Sequence, residues 1–331
     1  MRNSVGRLAF LPLLVLGASG PAIGCYTSSA TDDAGADVDV PPDGRDSEGA
    51  DTDVTDSDVG ACPAGMVLVP AGPFLMGCHG SDPDAPDYCP GAPFPALATL
   101  SAYCIDRTEV TNAAYSACVA AGLCDPPSRF SAVGRDSYYD NPEYADYPVV
   151  YVSWLEADKY CRWRRGRLPT TAEWGKAARG GCEVVAPDTC GPEDQRVYPW
   201  GNDEPRCDQA EFYGCDPTYA AGPGLTHRAG SLPAGASPYG VLDLADNLEE
   251  WTNDWFGAEE YDEWWAANCT TGCVDPWGPD EPIGHFATKV ISGSTSWRYF
   301  EQMITSYVNH GGGIEWGSEA SGFRCMAPPN E

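Results

Sequence analysis

Four oxygen-bearing side chains lie close together in the stretch 239–255, whose apolar residues follow neither a helical nor a strand period. An irregular backbone that carries carboxylates, amides and free carbonyls suits a hard cation such as calcium, which takes about six to eight oxygen ligands. A solvated acidic loop would have the same composition, so the residues alone leave both interpretations open. The four side chains are Asp243, Asp246, Asn247 and Glu250.

Three short helices are predicted upstream of this stretch. A capping residue stands before each one: Thr111 for residues 112–121, Ser153 for residues 154–165 and Thr170 for residues 171–179. The last two are capping boxes, because a glutamate follows three residues after each cap. Residues 66–77 are predicted to form a strand, a turn and a strand. After residue 181, abundant Gly, Pro and Asp predict a loop-rich chain without long helices.

Residues 1–25 have the pattern of an export signal, with a positive start and an apolar run over residues 8–16. This run is too short to span a membrane permanently. Small residues before Cys25 resemble a bacterial lipoprotein cleavage box, which predicts a lipid anchor on Cys25. A secretory signal with an incidental cysteine is the alternative. Tyr26 after that cysteine indicates sorting to the outer membrane, so we expect an exported protein anchored to the cell envelope.

Residues 26–61 are predicted to be a disordered acidic linker. They hold eleven Asp or Glu and a single Arg, and such a segment buries too little apolar surface to fold. The folded domain is then residues 62–331. The whole chain has a formal net charge of −30, which argues against nucleic acid as a partner, because phosphate contacts need clustered Lys and Arg.

One basic cluster interrupts this acidic domain, near the end of the second predicted helix. Cations at that end complement the helix dipole, which favours a solvated helix terminus. A patch that contacts a substrate is the alternative. The cluster is Lys159, Arg162, Arg164, Arg165 and Arg167.

Besides Cys25, fourteen of the 15 cysteines remain. An even number in an exported chain predicts a disulfide framework rather than thiolate metal ligands. Four dispersed histidines and the lack of any CxxC motif argue against a zinc site. Close spacing favours the local pairs Cys78–Cys89, Cys118–Cys124, Cys182–Cys190, Cys207–Cys215 and Cys269–Cys273.

Six segments, in this order, resemble the formylglycine-generating enzyme (sulfatase-modifying factor) family. The resemblance covers almost all of residues 62–331. It implies an α+β fold of the C-type-lectin-like kind, loop-rich, with few helices and stapled by disulfides. The segments are residues 66–77 (MVLVPAGPFLMG), 106–115 (DRTEVTNAAY), 148–180 (PVVYVSWLEADKYCRWRRGRLPTTAEWGKAARG), 198–201 (YPWG), 237–255 and 322–325 (GFRC).

The resemblance implies a structural calcium ion in the stretch 239–255. Its ligands would be the side chains of Asp243 and Glu250 and the backbone carbonyls of Asp246 and Leu248. The chain departs from the family pattern in two places, since Asp246 stands where Gly is usual and Glu249 where Trp is usual. A weaker second calcium site is implied at Asp208 and Gln209.

A disulfide between Cys161 and Cys325 is also implied by the resemblance. The chain-entropy model credits a loop of this length with roughly 4–5 kcal/mol. Once this pair and the local pairs are made, Cys62 and Cys104 remain and are expected to pair with each other.

Catalytic members of the family, as the resemblance implies, oxidise a substrate cysteine to formylglycine with oxygen and copper. Two cysteines a few residues after a Gly-Gly-Ser-aromatic strand end hold the copper, and thiolates suit Cu(I) because both are soft. The corresponding stretch here, residues 289–307, contains no cysteine. Met303 alone is a poor copper site. The sequence therefore predicts neither copper nor formylglycine generation by the copper route.

Two classes of function remain open. The first is a non-catalytic module, structural or binding an envelope or extracellular protein, peptide or glycan, which touches the membrane only through its anchor. The second is an oxidoreductase that acts on a protein cysteine, or another oxidative chemistry on the same scaffold. Candidate pocket residues near the missing cysteines, for which ordinary packing is the alternative, are Ser294, Ser296, Trp297, Arg298, Tyr299, Glu301 and Arg324.

Overall fold

The computed structural model describes residues 61–77, 96–185, 190–191, 194–212, 215, 226–269, 272–282, 288–295 and 308–330. These residues belong to one compact unit, Asp56–Glu331. The predicted signal and its Cys25, the predicted linker up to residue 60, and the predicted pair Cys78–Cys89 lie outside the described residues.

Short strands and few helices make up this unit. In chain order the strands are β1 (Met66–Val69), β2 (Gly72–Met76), β3 (Ala96–Leu100), β4 (Tyr103–Asp106), β5 (Glu249–Phe256), β6 (Cys273–Val274), β7 (Thr288–Ser292), β8 (Val308–Gly313), β9 (Ser321–Gly322) and β10 (Met326–Ala327). The α-helices are α1 (Asn112–Ala120), α2 (Trp154–Trp163), α3 (Thr171–Arg179), α4 (Cys182–Val185) and α5 (Ala258–Cys269).

The described strands form three small sheets, in the orders β1-β4-β10, β2-β3-β6 and β8-β7-β5-β9. Most pairs are antiparallel, but β9 runs parallel to β5, and β6 runs parallel to β3. The segment from β9 to β10 passes from one sheet to another, because β9 pairs with β5 whereas β10 pairs with β4. Mixed short strands with few helices agree with the predicted α+β class.

Side-chain caps start α1, α2 and α3 where the sequence predicted them, since each predicted cap accepts a bond from a first-turn amide. Thr170 and Glu173 form a complete capping box. The capping box predicted at Ser153 is only half formed, because the bond from the Ser153 amide to the Glu156 carboxylate is missing. Ser153 accepts from the amide of Glu156, but the Glu156 carboxylate turns away and accepts from the amide of Asp125 instead.

Two helix predictions differ from the structure. Helix α2 was expected to reach residue 165 but ends at Trp163, because Arg165 adopts the left-handed conformation (φ 62°) that terminates it. The expectation that long helices are absent after residue 181 is wrong, since α5 has twelve residues. Residues 258–269 contain neither Gly nor Pro, so this segment escapes the composition that surrounds it.

Disulfides staple the unit as predicted. Every predicted pair whose cysteines are described is present, and Cys161–Cys325 closes the longest loop, with a sequence separation of 164. Phe323 and Cys325 are fully buried on either side of Arg324, so this staple fixes the end of the chain inside the core. The other pairs present are Cys62–Cys104, Cys118–Cys124, Cys182–Cys190, Cys207–Cys215 and Cys269–Cys273.

No helix in the described part of the chain is long and apolar enough to cross a membrane.

Candidate functional site

The stretch 239–255 is part of the core and not a solvated loop. Asp243, Asp246, Asn247 and Glu250 all have 4 % or less of their surface exposed. Asp243 and Asn247 adopt left-handed backbone angles, with φ of 60° and 66°. Asp and Asn are the non-glycine residues that tolerate this region best. The loop therefore turns its polar side chains inward rather than toward water.

Glu250 is held by a buried arginine. Arg324 donates from Nε to Oε2 (2.6 Å) and from Nη2 to Oε1 (2.5 Å), and Trp174 Nε1 adds a bond to Oε2 (2.9 Å). The remaining Arg324 donors reach the carbonyls of Asp106 and Leu242. Both members of this pair are fully buried. Arg324 was predicted as a pocket residue, but its side chain is fully buried in the core.

Two further carboxyl groups lie beside this pair without such partners. Glu109 is 2 % exposed, and no amide, guanidinium or hydroxyl donor of the described residues reaches either of its oxygens. Asp243 accepts a bond from the amide of Gly230 (2.6 Å) on Oδ2, whereas its Oδ1 has no partner. Burial raises the pKa of both carboxyls. The Asp243 and Glu250 charges raise that of Glu109 further, and the Asp246 charge raises that of Asp243.

Asp246 is in contact with His227, a residue that no sequence pattern indicated. The Asp246 Oδ2 atom lies 2.8 Å from His227 Nε2 and also accepts from the amide of Glu211 (2.7 Å). Burial by itself would lower the pKa of His227, but the Asp246 carboxylate outweighs burial and raises this pKa to about 9. His227 is therefore protonated at neutral pH.

The residues fit the implied calcium ion only in part. Asp243 Oδ1 and both Glu109 oxygens accept no bond from another donor of the described residues, and a cation could take them, but the two carboxyls are also close enough to share a proton. Glu250, by contrast, is engaged by Arg324, and the Asp246 carbonyl accepts from the amide of Leu248 (2.9 Å). Within the described ranges, no group of three or more His, Cys, Asp and Glu is arranged to hold a metal ion. Calcium at this loop stays a prediction.

The weaker second calcium site also stays a prediction. Asp208 is exposed and pairs with Arg206 (3.1 Å). Gln209 is buried, and its Oε1 accepts from the amide of Arg206 (3.2 Å). Both side chains thus have protein partners on one short turn.

The strand end at which the resemblance leads us to expect copper-binding cysteines carries hydroxyl groups in this chain. Strand β7 ends at Ser292, and Gly293 turns the backbone at a φ of 83°. Ser294 and Thr295 follow, at most 1 % exposed, and neither hydroxyl has a partner among the described residues. The other predicted pocket residues, Ser296, Trp297, Arg298, Tyr299 and Glu301, lie outside the described residues.

A second buried charged cluster, missed from the sequence, lies at the other end of β5. Asp254 is fully buried and accepts from the amide of Thr171 (2.7 Å), and burial raises its pKa to about 7. Lys289 Nζ lies 3.8 Å from the ring centroid of Trp255 and 4.4 Å from that of Trp154, and burial lowers its pKa to about 8. Only the abundance of Trp in these segments hinted at this cage.

The basic cluster is mostly engaged in ion pairs. Lys159 and Arg162 are exposed, as expected for solvated cations near a helix end. Arg165 differs from the other members, because no acidic partner is present for it among the described residues. The pairs formed by the rest are Lys159–Asp125 (3.1 Å), Arg162–Asp158 (2.7 Å), Arg164–Asp106 (2.8 Å) and Arg167–Glu173 (2.6 Å).

Small mixed sheets, few helices and a disulfide framework around an acidic buried loop define a loop-rich α+β protein of the lectin-like kind. Solved structures share this fold. PvdO from Pseudomonas aeruginosa is 22% identical, with a TM-score of 0.55 over 79% of this chain and 93% of its own. CarF is 17% identical, with a TM-score of 0.53 over 81% of this chain and 99% of its own.

The profile of the family described as sulfatase-modifying factor enzyme 1-like domain matches residues 52–328, and the chain belongs to this family. It is 30% identical to the formylglycine-generating enzyme of Thermomonospora curvata over 80% of this chain and 94% of that protein. It is 36% identical to the inactive C-alpha-formylglycine-generating enzyme 2 of Bos taurus, over 36% of this chain and 37% of that protein. The predicted family and fold class are confirmed.

Proposed function

We propose that this protein is an envelope-anchored module of its family that does not generate formylglycine by the copper route and that acts by binding or as a structural element. One observation carries the proposal. The stretch 289–307, which corresponds to the copper-binding segment, contains no cysteine. Two thiolates are needed there, and the twelve cysteines in the described part of the chain are already joined in disulfides.

The chemistry of the strand end supports the proposal. Ser292, Ser294 and Thr295 are the polar side chains at the end of β7. Hydroxyl oxygens are hard ligands and suit Cu(I) poorly, whereas thiolates and thioethers suit it well. The buried hydroxyls therefore give this position polarity without a soft ligand.

Family membership leaves the activity open, because folds and families carry different functions on one scaffold. The relatives include proteins named as formylglycine-generating enzymes and proteins named as inactive counterparts. This mixture is compatible with a member that retains the scaffold and lacks the oxidation.

A peptide assay tests the proposal directly. The chain without residues 1–25 is incubated with copper and a peptide that carries the sulfatase cysteine motif, and mass spectrometry follows the cysteine. We expect an unchanged peptide. The Thermomonospora curvata relative, treated identically, is the positive control. Formation of the aldehyde by this chain would refute the proposal.

An oxidoreductase acting on a protein cysteine is the second candidate. It is favoured by the similarity to a formylglycine-generating enzyme over nearly that enzyme's whole length. The same peptide assay, repeated with iron or without added metal, separates the candidates. Oxidation of the peptide under either condition supports the oxidoreductase and counts against the non-catalytic module.

Anchoring through Cys25 is part of the same proposal. Small residues precede this cysteine, and an acidic stretch separates it from the folded domain. We expect the full chain to fractionate with the outer membrane, and Cys25→Ser to release it from the membrane fraction. Equal membrane retention of the two forms would rule out the lipid anchor.

A structural calcium ion near Asp243 completes the proposal. The unpartnered oxygens of Asp243 and Glu109 support it, since buried carboxylates need a counter-charge. We expect chelation, with metal loss measured, to lower the melting temperature by about 2–4 °C for each kcal/mol of binding energy lost. Asp243→Ala should abolish this shift. A melting temperature that is unchanged after complete removal of the metal would exclude the site.

A further inference from the structure

A groove outside the buried loop joins two adjoining cavities of about 340 and 370 Å³. Arg167 and Trp277 line both cavities, with the guanidinium carbon 4.5 Å from the centroid of the indole ring. Met326 and Pro328 also line both cavities. We call this the Arg–Trp groove. Nothing in the proposed function uses it.

Arg165 lines the larger cavity from an unfavourable backbone position. At the end of helix α2, the amide of Arg165 donates to the carbonyl of Arg162 (2.9 Å). The amide of Gly166 donates to the carbonyl of Cys161 (2.8 Å). This is a Schellman motif, and Arg165 fills its left-handed position, where glycine is the usual residue because it has no side chain to strain. Strained positions of this kind cluster at functional sites.

Charge distinguishes Arg165 from its neighbours in the groove. Arg167 is bonded to Glu173, and Arg162 to Asp158, which also lines the larger cavity. Arg165 is exposed and has no acidic partner within the part of the chain that the structure describes. The cavity therefore presents one guanidinium whose donors are free. A guanidinium fork matches a carboxylate with two parallel hydrogen bonds.

Trp277 supplies an aromatic ring next to that charge, and the Arg167 guanidinium covers one face of this ring. Its side chain is 48 % exposed, which is unusual for so large a ring. Exposed aromatic rings with a polar edge are typical of surfaces that bind ligands. The groove thus pairs a stacking platform with a free guanidinium.

The acidic surface of the protein disfavours a ligand that carries many negative charges. A net charge of −30 repels any long polyanion that extends beyond the groove. A ligand with one carboxylate on a compact ring avoids this repulsion. We propose that the Arg–Trp groove binds a carboxylated sugar unit, whose carboxylate contacts Arg165 and whose ring face stacks on Trp277.

Calorimetric titration of the chain without residues 1–25 tests this proposal, with glucuronate as the probe and glucose as its neutral counterpart. We expect saturable binding of glucuronate and none of glucose at the same concentration. Arg165→Gly and Trp277→Ala should each weaken glucuronate binding at least tenfold. Arg129→Ala is the matched control, because Arg129 is an exposed arginine stacked on Tyr151 outside the groove, and it should bind as the parent does.

The glycine variant also reports on folding. Arg165→Gly should melt at the parental temperature or above it, since glycine relieves the left-handed position. Loss of binding in a stable variant then supports a ligand-contacting role. Undiminished binding by Arg165→Gly, or no saturable binding of glucuronate by the parent, would overturn the proposal. Inorganic phosphate is the third probe. Phosphate that binds as tightly as glucuronate and is unaffected by Trp277→Ala would overturn the assignment of a sugar ring.

Discussion

Strand β5 carries two fully buried carboxylates, Glu250 and Asp254, in very different surroundings. Glu250 has a buried guanidinium on both oxygens and an indole N–H as well. One oxygen of Asp254, Oδ2, accepts a hydrogen bond from the amide of Thr171 at the start of α3. The other oxygen, Oδ1, has no partner among the described residues. The pKa of Asp254 is raised to about 7 by burial. The backbone amide bonded to Asp254 does not offset the effect of burial on the pKa of this carboxyl.

This difference assigns different roles to the two ends of the strand. The Glu250 end joins the long-range disulfide, the buried loop and the last strands into one cluster. At the Asp254 end, the carboxylate can change its protonation state near neutral pH without breaking an ion pair.

Removing the disulfide beside Arg324 should have the largest effect. Cys161→Ala with Cys325→Ala opens a loop of sequence separation 164, and we expect a loss of roughly 4–5 kcal/mol in the free energy of unfolding. Urea titration measures it. Cys207→Ala with Cys215→Ala, which opens a loop of separation 8, is the control and should cost roughly 2–3 kcal/mol. Equal losses would show that loop length is not what this staple contributes.

Breaking the ion pair itself comes next. Arg324→Met leaves Glu250 buried without its cation, so we expect a loss of about 3–5 kcal/mol at pH 7. Arg164→Met is the matched control, because Arg164 pairs with Asp106 but is 25 % exposed. We expect a smaller loss there. A cost for Arg324→Met no greater than that of the control would show that full burial does not make the Arg324–Glu250 pair more important than a partly exposed one.

The pH dependence of Asp254→Asn sharpens the comparison from the other end. The folded-state pKa of Asp254, about 7, lies above its ordinary value of 3.8. Its stabilising contribution is therefore fully present below the unfolded-state pKa and is lost as the pH rises through 7. The Asn variant does not titrate, so its stability relative to the parent should rise between pH 4 and pH 8, by at most about 4 kcal/mol. A constant difference across this range would contradict the raised pKa.

The smallest effect concerns the cap of α3. Thr170→Ala should cost about 1 kcal/mol, because the hydroxyl accepts the amide of Glu173 at the helix start. Loosening that turn also weakens the amide bond from Thr171 to Asp254. We therefore expect the titration of Asp254 to move to higher pH, measured by NMR. Ser153→Ala, which uncaps α2, should leave that titration unchanged.

Local signals were enough to predict where the helices start. Thr111, Ser153 and Thr170 are capping residues whose bonds span only three positions, so the sequence contains the whole interaction. The length of α2 was missed, because its end depends on a left-handed angle at Arg165, which residue type argues against. Helix α5 was missed because its segment was judged by the composition around it.

The sequence predicted which carboxylates make up the site, but it did not predict their partners. Asp243, Asp246 and Glu250 were singled out as oxygen donors, and they do lie inside the protein. Their partners come from distant segments, Arg324 for Glu250 and His227 for Asp246, and no spacing rule connects these positions. Glu109 lay in a quoted motif, but its burial next to Asp243 is visible only in the folded chain.

The segment from β9 to β10 also has a consequence for biosynthesis. Its strands complete two sheets, and between them lie Arg324, the partner of Glu250, and Cys325, the partner of Cys161. A ribosome makes this segment after the other strands that the structure describes. Until then, Glu250 lacks its cation and two sheets lack a strand, so the nascent chain has no complete core to form. The described core of the domain therefore closes only once residues 321–327 have been made.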